Sequence, residues 1–136
     1  MKITRNGVYN YIRNKVIAMY PSAYFSSRYE PTPEDFPAVY VREIGNYSVP
    51  GTMTFSGSQG TQESTFEVQI QSNKAVGAGE EAHGILAEVF SAFCDLHYFE
   101  ANVNVLEDGT SGLYRIRAIY RRIIGDADEM SAITNN

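Results

Sequence analysis

The chain has 136 residues, 43% of them hydrophobic and 20% charged. That is enough to bury one core and too little for two comfortable domains. A net charge of −5 argues against a protein whose main task is gripping nucleic-acid phosphates. The single cysteine, Cys94, excludes an internal disulfide and a zinc site built on several thiolates. No stretch approaches the roughly 20 apolar residues of a membrane span, and no secretory signal is visible behind Met1. The expectation is a soluble protein made inside the cell.

In chain order, residues 6–20 read as a helix. Val8, Tyr11, Ile12, Val16 and Met19 recur at spacings of three and four, and Pro21 ends the run. Ala23 to Ser26 reads as a short strand or an extended connection. The two prolines of Glu30-Pro31-Thr32-Pro33-Glu34-Asp35 make that stretch a loop. Pro37 to Ile44 is rich in β-formers and reads as a strand. Residues 45–62, GNYSVPGTMTFSGSQGTQ, are too long for a plain turn. Their apolar patch at Met53 and Phe55 suits a protruding hairpin, or a loop that orders on a partner.

Glu63 to Ser72 alternates cleanly, with Phe66, Val68 and Ile70 on one side and Glu67, Gln69 and Gln71 on the other. Glu80 to Leu96 is the clearest helix, its stripe formed by Ala82, Ile85, Leu86, Val89, Phe93 and Leu96. Tyr98 to Leu106 and Leu113 to Ile124 read as two strands joined by the turn Asp108-Gly109-Thr110-Ser111-Gly112. Residues 1–125 then form one α+β domain, a mostly antiparallel sheet with two helices on one face. Residues 126–136 form an acidic tail expected to be loose.

Several patterns invite a chemical reading. Gly77-Ala78-Gly79 joins a strand to a helix, where phosphate-binding loops sit. Glu80 and Glu81 follow at once and would repel a pyrophosphate at the helix N-terminus. The bland reading, a flexible joint, fits better. Cys94 and His97 are three apart near a helix end, but a metal needs three or four ligands. Their ordinary reading is a buried cysteine beside a histidine at a helix C-terminus. His83 and His97 are the only imidazole bases, and no GxSxG elbow accompanies them. The expectation is therefore no enzyme, no metal and no cofactor. Arg115, Arg117 and Arg121 share one strand face. They read either as a surface for a partner or passing DNA, or as cross-strand partners of Glu67 or Glu100.

The segments FPAVYVREIG, STFEVQIQSNKAVGAGEEAHGIL and LYRIRAIYRRIIG carry a resemblance. In element order and spacing, over roughly residues 5–125, the chain resembles the tail-terminator (tail-completion) proteins of long, non-contractile-tailed phages. The resemblance implies a structural virion protein at the tail–neck junction, assembled in the host cytoplasm. It implies a homo-hexameric ring that caps the tail tube, stops its polymerisation and offers a surface to the head connector. DNA would pass through that ring without sequence-specific binding. Ten tyrosines and no tryptophan suit a protein of contacts. The candidate interface residues are Val49, Thr52, Met53, Phe55, Arg115, Arg117 and Arg121. The alternatives are another phage neck or tail-tube component, a nucleic-acid-binding module using the arginine face, and a small-molecule enzyme using His83 or His97.

Overall fold

The structure is a computed structural model that describes residues 5–28, 33, 35–48, 61–108 and 113–125. Helix α1 spans Arg5–Met19, strand β1 Tyr24–Ser26, β2 Ala38–Ser48 and β3 Thr61–Ser72. Helix α2 then spans Ala78–Asp95, β4 Phe99–Asp108 and β5 Leu113–Gly125. The five strands make one sheet in the order β1-β2-β3-β5-β4. Among the described residues β1 and β2 run parallel, and the β2–β3, β3–β5 and β4–β5 pairings are antiparallel. The expected α+β architecture is the observed one.

Alternation decides which sheet face is buried. Val39 and Val41 of β2, Phe66, Val68 and Ile70 of β3, and Ile116, Ala118 and Tyr120 of β5 all face the helices. Val8, Ile12 and Val16 of α1 meet them, as do Ala82, Ile85, Val89, Ala92 and Phe93 of α2. At the centre Phe93 stacks on Tyr120 with centroids 4.3 Å apart, and Phe66 and Tyr98 close around Phe93. Each fully buried Phe contributes about 1.5–3 kcal/mol relative to an exposed one. This aromatic cluster ties both helices' side of the sheet into one core.

The structure adjusts several expectations. Strand β2 runs on through Gly45 to Ser48, and β3 begins at Thr61. The ends of the 45–62 stretch are therefore paired strand, Ser48 opposite Gln62. Residues 49–60, and with them Val49, Thr52, Met53 and Phe55, lie outside the described residues, as do 126–136. A register shift between Glu43 and Gly45 marks a bulge, so strict alternation fails there. Met19, expected on the apolar face of α1, is 64% exposed. The core stripe steps 8, 12, 16, so the next inward position is Tyr20 and not Met19.

Candidate assembly surfaces

The three arginines sit where the alternation puts them, on the sheet face away from the helices. Arg117 Nε lies 2.5 Å from Glu67 Oε2. Gln69 stands opposite Arg117 and Ile119 opposite Glu67, so the ion pair is diagonal across β3 and β5. Arg115 is half-buried, and its Nε has no hydrogen-bond partner among the described residues. Arg121 is exposed, with Thr65 on one flanking strand and Phe99 on the other. The stripe is thus partly consumed by the sheet's own acid. Glu100, the other acid considered, accepts instead from Tyr120 Oη at 2.8 Å.

This outer face is less solvated than charge alternation suggests. Ala38, Tyr40, Thr65, Gln71 and Ile119 are all buried on it. The apolar stems of long neighbouring side chains shade such positions in a five-stranded sheet. Ile119, which interrupts the arginines in sequence, is one of them.

Arg122 breaks from the stripe. It follows Tyr120 on the helix side, is buried, and donates from Nη1 to the carbonyl of Leu96 at 2.6 Å. A cation at the end of α2 meets the negative end of the helix dipole. Nearby, Tyr98 Oη donates to Ser64 Oγ (2.9 Å), and Ser64 Oγ donates to Glu43 Oε2 (2.8 Å). Burial pushes the Tyr98 hydroxyl up to about 12, opposed by its bond to Ser64. The two-residue parity from Tyr120 was the signal in the sequence that sets Arg122 on the helix side, apart from the stripe.

The glycine joint is structural. Gly77, at the N-cap of α2, has φ +84, a left-handed conformation that glycine adopts without strain. A Cβ on Gly79 would stand 3.3 Å from the Tyr114 ring. Tyr114 Oη lies 2.9 Å from His83 Nε2, so Gly79 gives room to a contact between β5 and α2. Glu81 accepts from Ser72 Oγ at 2.7 Å and has Lys74 Nζ at 3.4 Å. These contacts tie the first turn of α2 back to the end of β3.

Cys94 is exposed, which corrects the expectation of a buried thiol. The buried stripe takes Ala92, Phe93 and Leu96, and position 94 falls between those neighbours on the outside of the turn. His97 has φ 64, and Tyr98 N donates to Phe93 O at 2.9 Å, a left-handed close of the helix. No group of three metal-ligating side chains occurs among the described residues. Asp95 turns instead to α1, where Tyr11 Oη donates to its Oδ2 at 2.7 Å and Lys15 Nζ lies 2.5 Å away. Those two donors hold the Asp95 carboxyl below the ordinary value.

The sheet edges are the feature that sequence reading missed. Among the described residues strand β4 pairs only with β5, and Phe99, Val105 and Leu106 on it are 59%, 43% and 41% exposed. Beside it, His83, Leu86, Ala87 and Phe90 of α2 line an open, largely apolar groove with Glu100, of about 250 Å³. At the opposite edge β1 covers only Ala38, Val39 and Tyr40 of β2. Among the described residues no strand flanks Val41–Ser48 on that side. An open cleft of about 430 Å³ lies there, lined by Arg5, Asn6, Tyr9, Asn10, Val41 and Arg42 among others.

A solved structure shares this fold. It is a chain of the "Virion of native gene transfer agent (GTA) particle", 16% identical, with a TM-score of 0.57. The match covers 87% of this chain and 91% of that one. At that identity the likeness concerns the fold. Neither a protein-family model nor a curated protein matches the chain.

Proposed function

We propose that the protein is a structural component of a phage or phage-derived particle. Within that class we assign it to the tail terminus: a hexameric ring that caps the tail tube and offers the head-joining surface. The observation that carries the reading is the fold shared, over most of both chains, with a component of a gene transfer agent virion. The two sheet edges left open among the described residues support it, because such edges are templates on which another copy can pair. The chain works without catalytic chemistry in this reading. Its partners are copies of itself, the tail-tube protein and the head connector, and DNA passes the ring without base contacts. Its place is the tail–neck junction of the particle, reached after assembly in the host cytoplasm.

The test mixes the purified protein with tail tubes and images the product by negative stain, with light scattering on the protein alone. Tubes closed at one end by a single ring are the expected outcome. Protein that stacks into open-ended tubes reassigns it as a tube component. Protein that ignores tubes at every concentration removes the reading.

A further inference from the structure

Unpaired strand edges expose rows of backbone donors and acceptors, and proteins normally blunt them with charge, proline or a covering element. Strand β4 has an edge of ten residues whose exposed side chains include Phe99, Val105 and Leu106. Among the described residues the edge of β2 is open over Val41–Ser48, and it carries Ile44, 49% exposed. The two edges match in direction. Strands β2, β3, β5 and β4 alternate antiparallel across the sheet, so β2 and β4 run opposite ways. A second copy placed alongside in the same orientation therefore sets its β2 antiparallel to β4, and the alternation continues.

The same placement addresses the helix layer. Helix α1 lies over β2, whereas α2 lies over β3, β5 and β4. Adding a neighbour's β2 to β4 brings the neighbour's α1 against the His83–Phe90 groove of α2. Asn6, Tyr9 and Asn10 line the cleft beside the β2 edge, whereas Tyr11 and Lys15 of the same helix meet Asp95 of α2, so the Asn6–Tyr9–Asn10 flank is the one that would arrive there.

We propose that copies of this chain join head to tail through β4 of one copy and the Val41–Ser48 edge of β2 in the next, making one antiparallel sheet across the subunits. Such an interface is heterologous, so it propagates from copy to copy and makes a ring when the rotation between copies closes. Pairing β4 with β4 about a two-fold axis would instead stop at a dimer and leave the β2 edge and its cleft open. The inference rests on the ring reading and names its contact.

The experiment uses two edge variants of the full chain, Val105→Lys on β4 and Ile44→Lys on β2, each at an exposed site. Far-UV circular dichroism checks that each folds; Phe99→Lys and Ile44→Asp replace either variant that does not. Light scattering follows wild type, each variant alone, and the equimolar mixture. The expected result is association of wild type and a monomer for each variant alone. The mixture gives a 1:1 dimer of twice the chain mass, because each variant keeps the edge the other lacks. An Ile44→Lys variant that associates like wild type while Val105→Lys does not would indicate two-fold β4 pairing and overturn the proposal. Association of both variants like wild type overturns it too, as does wild type that stays monomeric at every concentration.

Tube capping is scored separately on the same proteins. Edge-dependent association without capping rejects the tail-terminus reading and keeps the interface. Variants that still cap tubes reject the interface and keep the reading.

Discussion

At the residue scale, close approach decides more than identity. Gly84 lies in the middle of α2, where glycine costs about 1 kcal/mol relative to alanine. Propensity alone makes Gly84→Ala stabilising. The packing says otherwise, because a Cβ there would stand 2.2 Å from Tyr20 Oη, and the Tyr20 Cζ is at 3.4 Å. Overpacking of that kind costs about 1–3 kcal/mol, so the clash outweighs the helical gain. Gly84→Ala is expected to lower the urea midpoint. In a Tyr20→Phe background the clashing oxygen is gone and the next atom sits at ordinary contact. There the same substitution is expected to be neutral or to stabilise by up to about 1 kcal/mol. Equal effects in the two backgrounds would show that Tyr20 simply swings aside. Gly84 gave no warning in the sequence, since it neither ends an element nor belongs to a turn. Its reason lies 64 residues away along the chain, at the end of α1.

At the element scale, α1 is held to the fold by its Val8-Ile12-Val16 stripe and by a polar link to α2. The Lys15–Asp95–Tyr11 cluster joins the two helices outside the core, with Asp95 39% exposed on its side chain. The donors depress the Asp95 carboxyl below its usual 3.8. The sign follows from that direction. The charged carboxylate is favoured in the folded chain, so the contribution is complete above the ordinary value and fades as pH falls through the lower, folded one. Solvent screening keeps it modest, about 1 kcal/mol or less for a pair this exposed. Asp95→Asn is therefore expected to be less stable than wild type in urea at neutral pH. The difference should shrink towards zero below pH 3.8. A gap that stays constant across that window would place the effect in packing and not in charge.

Elements were also where the sequence was most legible. Alternation in β3 and β5 and the stripe of α2 follow directly from side-chain period, and the structure places Phe66, Ile116 and Phe93 where those periods require. The period fails where geometry is not uniform. The bulge at Glu43–Gly45 resets β2, so the strand outlasts its hydrophobic alternation by several residues. The pairing of β1 with β2 joins two stretches that composition alone could not connect. Strand order was invisible for the same reason. Which strands end up at the edges depends on β5 inserting between β3 and β4, and nothing local encodes that. Hence the arginines, conspicuous in sequence, turned out to be partly engaged within one sheet face. The edges of β2 and β4, silent in sequence, carry the assembly argument.

At the scale of the whole molecule, the question is how much of the chain serves folding and how much serves partners. The β2–β3 ladder continues to Ser48 opposite Gln62, so the two strands are already together where residues 49–60 leave the described structure. Removing residues 49–58 leaves Gln59, Gly60 and Thr61 to join the paired ends. Three residues including a glycine suffice for a hairpin connection. Loop-closure entropy changes little with length, about 0.6 kcal/mol for each doubling, and the shorter loop is the cheaper one. The deletion is therefore expected to leave the far-UV spectrum unchanged and the unfolding free energy within about 1 kcal/mol of wild type. Capping should respond differently. Met53 and Phe55 are the large apolar side chains of the deleted stretch, whose other residues are Val49, Pro50, glycines, serines and threonines. Burying such a pair against a partner contributes about 1.5–3 kcal/mol each, enough to offset part of the ordering cost of the segment. A folded deletion variant that associates with its own kind but no longer closes tail tubes would assign the segment to the tube contact. A variant that caps as wild type does would leave Val49, Thr52, Met53 and Phe55 without a part in assembly. The tube contact would then fall to the sheet faces and edges described here.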